Sequence, residues 1–299
     1  MSKNKPRVSI GMPVYNGDKF LKEALDSILV QTFRDFELII SDNASTDQTE
    51  QICQIYADRD KRIRYYRNEK NLGAAWNFNR VFELSVGEYF KWAAHDDICA
   101  PEFLSRCVEA LDQDPSVVLS YPMVMMINEY GKFIKPLIYN MHGDSLKPHE
   151  RFLYNIWIDH WCMHVFGVMR TSVLKKTPLI ANYVGSDRVL LAYLSLLGRF
   201  YEVPQYLFFN REHPLRSVRK IHSLYDRIEW FDPKKSGKYV FPYWRFFIEY
   251  FFSIFRAPLN WHDRILCSLQ IVRWLKRYWR AMIDDLLFFA KKVLPFRSY

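Results

Sequence analysis

The chain has 299 residues and a mass of 36.0 kDa, room for one large domain or two modest ones. At 49% hydrophobic, 25% charged and 17% aromatic residues, it is neither a disordered nor a collagen-like polymer. Its net charge of +9 is lodged in one place: residues 1–210 carry 24 basic and 25 acidic side chains, residues 211–299 carry 18 and 8, which points to an anionic partner, membrane or nucleic acid, at the C-terminal third.

Residues 1–6 lead into a strand rather than into the apolar run of a secretory signal. Arg7 to Tyr15 reads as that strand, ended by the turn dipeptide Asn16-Gly17. Phe20, Leu21, Ala24, Leu25, Ile28 and Leu29 then fall on one face of a helix. Phe36 to Asp42 is a second strand, and Ser45 with Gln48 reads as a capping box opening a helix through Tyr56. A strand over Ile63 to Arg67, a helix over Ala74 to Leu84 and a strand over Tyr89 to Ala93 follow. Such alternation predicts an α/β fold with a mostly parallel sheet covered by helices.

Past residue 100 the pattern loosens. A helix is expected from Pro101 through Leu111, with strands at Val117 to Tyr121, Phe133 to Tyr139 and Val165 to Arg170. Ser186 opens another helix, and two strands are expected at Arg199 to Val203 and Tyr206 to Arg211. Residues 1–217 therefore read as one unit, with a front half to residue 98 and a second half beyond it. Residues 218–299 read as helical, basic and aromatic. Their most apolar window, Tyr243 to Phe255, is interrupted by Arg245 and Glu249, too short and too charged to span a bilayer.

The five cysteines, at 53, 99, 107, 162 and 267, are odd in number and lack metal-ligand spacing, which argues for a reducing cytoplasm and against a disulfide scaffold. His160, Cys162 and His164 would share one face of a strand, but adjacent strand positions do not wrap a tetrahedral zinc. Core packing or the lining of an acceptor site is the better reading there.

The chemistry lies in acidic groups at strand ends. Asp42 closes the second strand, and His95-Asp96-Asp97 follows the fourth. In open parallel sheets ligands bind beyond the carboxyl ends of the strands. Carboxylates converging there suit a nucleotide and a hard divalent cation such as Mg²⁺.

Taken together, Pro13-Val14-Tyr15-Asn16, residues 24–32, Asp42 to Asp47, Asn71-Leu72-Gly73 and His95-Asp96-Asp97 resemble glycosyltransferase family 2. The resemblance runs in order from residue 7 to about residue 217. It implies a GT-A fold, a UDP- or dTDP-sugar donor, Mg²⁺ or Mn²⁺, and transfer with inversion to a saccharide or lipid-linked hydroxyl, as in cell-surface polysaccharide or glycolipid synthesis. Carried onto this chain, it places Pro13, Val14 and Tyr15 beside the base and gives Asp42 the imide N–H. Asp96 takes ribose or sugar hydroxyls, Asp97 holds the metal, and the Asn71–Gly73 loop passes near the donor. His95 stands where many relatives have an acid. Asp187, at a helix start, matches the family's general base, with Ser186 in place of a second acid. Residues 210–217 resemble the family's closing loop: Arg211 and Arg216 are expected to bond the diphosphate, and His213 to complete the metal shell or meet that diphosphate.

Two other readings stay open: a nucleotidyltransferase making the sugar nucleotide, which lacks its Gly-rich phosphate loop here, and a non-catalytic scaffold of the same fold. For residues 218–299, amphipathic helices with Trp and Tyr among Lys and Arg favour an anionic membrane surface at the inner face. Packing on the catalytic domain or a homodimer contact is the alternative, and nucleic acid is not expected.

Overall fold

The computed structural model describes residues 5–138, 143–157, 162–216, 231 and 241–293. The front half alternates as its periodicity requires: β1 (Val8–Val14), α1 (Asp18–Leu29), β2 (Phe36–Asp42), α2 (Thr49–Arg59), β3 (Ile63–Arg67), α3 (Ala74–Glu83) and β4 (Tyr89–Trp92). β1 pairs in parallel with β2 on one side and β4 on the other, and β3 lies outside β2. The chain therefore steps outward from β1 twice and then returns to its far side. Open α/β sheets bind ligands beyond the strand ends at such a reversal.

Both faces of the sheet are covered because successive strand residues point to opposite sides. Ile10, Met12, Leu38 and Ile40 pack with the apolar faces of α1 and α2. Ile39, Phe90 and Trp92 pack the other way with Ala75, Val81 and Phe82 of α3.

The second half adds β5 (Ile98–Cys99), α4 (Phe103–Gln113), β6 (Val117–Asn128), β7 (Phe133–Leu137), α5 (Pro148–Trp157), β8 (Val168–Arg170), α6 (Thr171–Leu174), α7 (Ser186–Leu197) and β9 (Arg199–Glu212). β8 is antiparallel to both β4 and β6, joining the halves into a sheet of order β3-β2-β1-β4-β8-β6-β9-β5. The two residues of β5, which no periodicity announces, pair antiparallel with β9, Ile98 opposite Phe209. That pairing sets the Asp96-Asp97 turn against the end of β9.

Several local expectations change. Ser45 does not cap α2: the helix begins at Thr49 after Gln48, while Ser45 Oγ accepts the Asn16 N–H instead. The two strands expected between Arg199 and Arg211 are one strand of 14 residues, whose pairing with β6 skips Pro204 and Gln205. A proline without an N–H is tolerated at such a bulge. Val165 and Phe166 belong to a 3₁₀ turn, Met163–Phe166, preceded by Cys162 at φ 55°. The strand face imagined for Cys162 and His164 therefore does not exist, and His160 lies outside the described residues. All five cysteines are buried, and none is in a disulfide.

Two helices close the chain, α8 (Pro242–Arg256) and α9 (Trp261–Val293). They share a third apolar cluster with α5 and α7, in which Tyr250, Ile254, Ile271 and Trp274 meet Phe152, Val189, Tyr193 and Leu196. Helix α7 is apolar all round, and its opposite face packs Leu190, Leu191 and Leu194 toward the sheet. A helix of that kind must be covered on both sides, and the C-terminal pair supplies the second cover. No helix among the described residues is long and apolar enough to cross a membrane.

Candidate active site

The loops after β1 and β2 are stitched together by short polar side chains. Asn16, in the left-handed region at φ 51°, donates its N–H to Ser45 Oγ (2.9 Å), and its Oδ1 accepts the Thr46 N–H (2.8 Å). Gly17 N–H reaches Thr49 Oγ1, and Asp18 N–H reaches Asp47 Oδ2. Pro13 and Val14 are buried at the strand end, while the Tyr15 side chain is 41% exposed. A Cβ on Gly17 would lie 2.5 Å from the His95 ring, so glycine there lets the turns after β1 and β4 touch.

Asp42 is fully buried at the end of β2. Its Oδ1 accepts the Ser45 N–H (2.8 Å) and its Oδ2 the Tyr65 hydroxyl (2.9 Å), with Arg67 Nε 3.5 Å away. Both oxygens of this carboxylate are thus already engaged within the protein. Next to it, Asn43 donates to Asn71 Oδ1 and to the Gly73 carbonyl, and accepts from Leu72 N–H. Gly73 sits at φ 90°, where glycine alone is unstrained. Asn71 and Gly73 are thus brought beside the end of β2, as a turn that Asn43 holds shut.

The second group forms where β4 meets β9. Asp97 is buried and accepts both the Arg211 N–H (2.8 Å) and the Asn210 amide (3.1 Å). Asp96 Oδ2 lies 2.9 Å from His213 Nε2. Burial, reinforced by the Asp96 charge, pushes the Asp97 carboxyl up to about 7. Burial acts on Asp96 too, but His95 and His213 outweigh it and hold that carboxyl below the usual range. Arg216 lowers both carboxyls and pairs with Glu212 Oε2 at 2.9 Å. Asp96, Asp97, His213 and Arg216 therefore form one electrostatic unit.

Arg211 has a different place from the one expected. Its Nε donates to the Asp96 carbonyl (2.9 Å), Nη1 to the Glu129 carbonyl (3.1 Å) and Nη2 to Glu23 Oε2 (2.6 Å). The guanidinium lies 4.7 Å from the Phe20 ring centre, and the side chain has no exposed surface. Three of its five N–H donors are committed and none of the side chain is exposed, so the guanidinium is not offered to a diphosphate here; it fixes the backbone of the carboxylate turn. Arg211→Met should cost about 2–4 kcal/mol, mainly from two orphaned carbonyls. Glu23→Gln should cost under about 1 kcal/mol, because Glu23 is half in water. Urea denaturation of the two variants measures the difference.

Asp187 stands in the first turn of α7, apart from both groups. Its Oδ1 accepts the Arg188 N–H (2.9 Å), and the buried Cys162 thiol donates to the same carboxylate. Burial raises the Asp187 carboxyl, and those two donors offset part of the rise. Among the described residues no hydrogen bond or ion pair joins it to Asp96 or Asp97.

The family model for glycosyl transferase family 2 matches residues 9–177, more than half of the chain. The chain belongs to glycosyl transferase family 2. Among curated family proteins it is 30% identical, over 175 residues, to the uncharacterised glycosyltransferase MJ1057 of Methanocaldococcus jannaschii, covering 58% of this chain and 59% of that protein. The chain thus spans under two-thirds of the length of this relative. Among solved structures, S. aureus TarS (residues 1–349) in complex with UDP-GlcNAc superposes with a TM-score of 0.64 at 19% identity, covering 95% of this chain and 81% of TarS. Mannosyltransferase PcManGT from Pyrobaculum calidifontis, in complex with GDP-Man and Mn²⁺, gives a TM-score of 0.50 at 16% identity, covering 99% and 82%. The fold of this family 2 member is GT-A.

Metal binding in such a site can be tested against its donors. Among the described residues no three His, Cys, Asp or Glu side chains converge as a metal cage. A hard cation bridged to a diphosphate needs only one or two protein carboxylates, however. Asp97 is a buried carboxyl raised by a like charge, which a cation would relieve. His213 Nδ1 is buried with no hydrogen-bond partner. When Nε2–H is donated to Asp96, Nδ1 keeps the lone pair that a metal-binding histidine needs. The residues fit Mg²⁺ or Mn²⁺ held with donor phosphates.

Sequence reasoning missed Tyr65 and Arg67 on Asp42, Asn210 on Asp97, and Glu23, Phe20 and Glu129 around Arg211. Only Asn210 carried a signal, standing in the segment 210–217 already singled out; the others come from distant elements.

Proposed function

We propose that this protein transfers a sugar from a UDP- or dTDP-sugar to a hydroxyl of a saccharide or lipid-linked acceptor, with inversion at the anomeric carbon. One observation carries the reading: Asp96 and Asp97 stand at the sheet's reversal point, clasped by Asn210, Arg211 and His213 from the end of β9. The UDP-GlcNAc of TarS and the GDP-Man of PcManGT support a nucleotide-diphosphate sugar as the donor class. We read the product as cell-surface polysaccharide or glycolipid.

In this reading the Pro13–Tyr15 strand end and the Asp42 carboxylate flank the base, while the Asn43-held turn at Asn71 and Gly73 borders the donor. Asp96 takes a ribose or sugar hydroxyl. Asp97 and His213 hold the divalent cation, whose chemistry is to offset charge growing on the departing diphosphate. Arg216 donates charge-assisted hydrogen bonds to the phosphate oxygens. The Asp187 carboxylate takes the acceptor hydroxyl proton as that oxygen bonds to the anomeric carbon and the bond from that carbon to the diphosphate breaks.

Thermal-shift measurements with UDP, dTDP and GDP, each with and without Mn²⁺, test the donor class. A ligand that binds only the native state at one hundred times its Kd should raise Tm by roughly 5 °C for a chain of this size. The expected responders are UDP or dTDP together with Mn²⁺. Equal indifference to all three nucleotides, with no turnover on a donor panel, would overturn the reading.

A further inference from the structure

Helix α9 has two apolar faces, and among the described residues only one packs against the rest of the fold. Cys267, Ile271, Trp274 and Met282 are buried against α5, α7 and α8. On the outer side Ile265, Leu269, Val272, Trp279, Ile283 and Leu286 follow one another in alternating four- and three-residue steps, with Lys276 filling the step between Val272 and Trp279. Each of the six apolar residues is 43–60% exposed. Such a stripe stays on one side of a helix for about six turns, roughly 30 Å. Scattered exposed apolar residues need no explanation, but a contiguous stripe does.

The charges beside it say what covers it. Arg273 and Arg280 lie seven residues apart along one edge, with Lys276 in the stripe and Arg277 behind. None of these four cations is ion-paired among the described residues: Arg273 donates to Gln270 Oε1, Arg277 lies over the Trp157 ring and Arg280 over Trp279. Asp284 is the one exposed acid that follows them on this edge, since Asp285 accepts the Tyr243 N–H. A second copy would meet this face badly. Parallel pairing sets Lys276 against Lys276, and antiparallel pairing about the stripe's middle sets Arg273 against Arg280, like charges facing either way. An anionic bilayer meets both demands, because apolar side chains sink below the headgroups while cations face them. Trp279, and Trp261 at the helix start, suit that depth.

We infer that the outer face of α9 is a docking surface for an anionic lipid bilayer. The assignment narrows the basic third of the chain to one helix face and is independent of the donor and acceptor proposed above. It has a consequence for them, though. Helix α8, which α9 packs on, presses Phe246 against Gly185, where an added Cβ would lie 2.5 Å from the ring, two residues before Asp187. The lipid-facing helix pair is therefore fastened to the helix that carries the expected base.

Vesicle flotation tests the assignment. The full chain is mixed with phosphatidylcholine vesicles lacking or containing about one-third phosphatidylglycerol, at low and high salt, and its oligomeric state is read by light scattering. The expected result is flotation with anionic vesicles only, weakened by salt. Val272→Glu with Ile283→Glu should lower partition at least tenfold, and Arg273→Ala with Arg280→Ala by about tenfold. All four side chains are on the surface, and an unchanged Tm in each variant verifies folding. Absence of flotation by the unaltered protein overturns the assignment. So does flotation that both variants retain, or a dimer that Val272→Glu with Ile283→Glu dissociates while lipid has no effect.

Discussion

Asp97→Asn is expected to lower metal-dependent sugar transfer about a thousandfold and, at the same time, to make the metal-free protein more stable at pH 8. The two effects share a cause. Asp97 is buried next to Asp96, so its carboxyl is raised from 3.8 to about 7. Between those values the folded protein keeps a proton that the unfolded chain has lost, and stability falls as pH rises through that window. Asparagine carries no such charge, and Asn210 Oδ1, buried without a partner, can accept one of its amide hydrogens. The variant's advantage in Tm should be absent near pH 4 and complete above pH 7, amounting to a few degrees. Adding Mn²⁺ with the nucleotide should stabilise only the unaltered protein. If Asp97→Asn melts below the parent at pH 8 without metal, the buried charge is not the liability described.

Asp187→Asn should reduce kcat by about 10²–10⁴, leaving the nucleotide-induced thermal shift unchanged, since Asp187 stands apart from Asp96 and Asp97. A base must be deprotonated to act, so the parent's kcat/KM should rise with pH through the Asp187 pKa, which burial places above 3.8. That acidic limb should vanish from the residual rate of the variant. Cys162→Ala supplies a finer check. The thiol donates to the Asp187 carboxylate and favours its charged form, so removing it should move the acidic limb to higher pH. A profile that Cys162→Ala does not move, or an Asp187→Asn enzyme with full turnover, would remove Asp187 from the role of base.

The front half of the fold was legible because its signals are local. The short apolar run ending at Asp42, the helical spacing from Phe20 to Leu29 and the turn at Asn16-Gly17 each report on a few adjacent residues, and the strand-end position of Asp96-Asp97 follows in the same way from the apolar run Tyr89 to Ala93. The basic C-terminal third was legible as charge alone. Its packing carried an overlooked signal in Val189 to Leu197, a helix too apolar all round to be covered on one side. β5 was not legible: two residues have no period, and Ile98-Cys99 is a strand only because β9 lies alongside.

The sequence by itself determined the order of strands and helices as far as β4 and which acids would stand at strand ends, since a half-buried strand repeats every two residues and a half-buried helix every 3.6. The tertiary structure decided which charges remain available. Arg211 and Arg216 look alike in sequence, yet only Arg211 is enclosed by Glu23, from 188 residues away, with the Asp96 and Glu129 carbonyls. Likewise Trp274 and Trp279 sit in one basic run, but the first is buried in the core and the second stands in the open. A buried guanidinium must find partners for its donors and a buried ring must find neighbours, and those come from segments that only folding brings together.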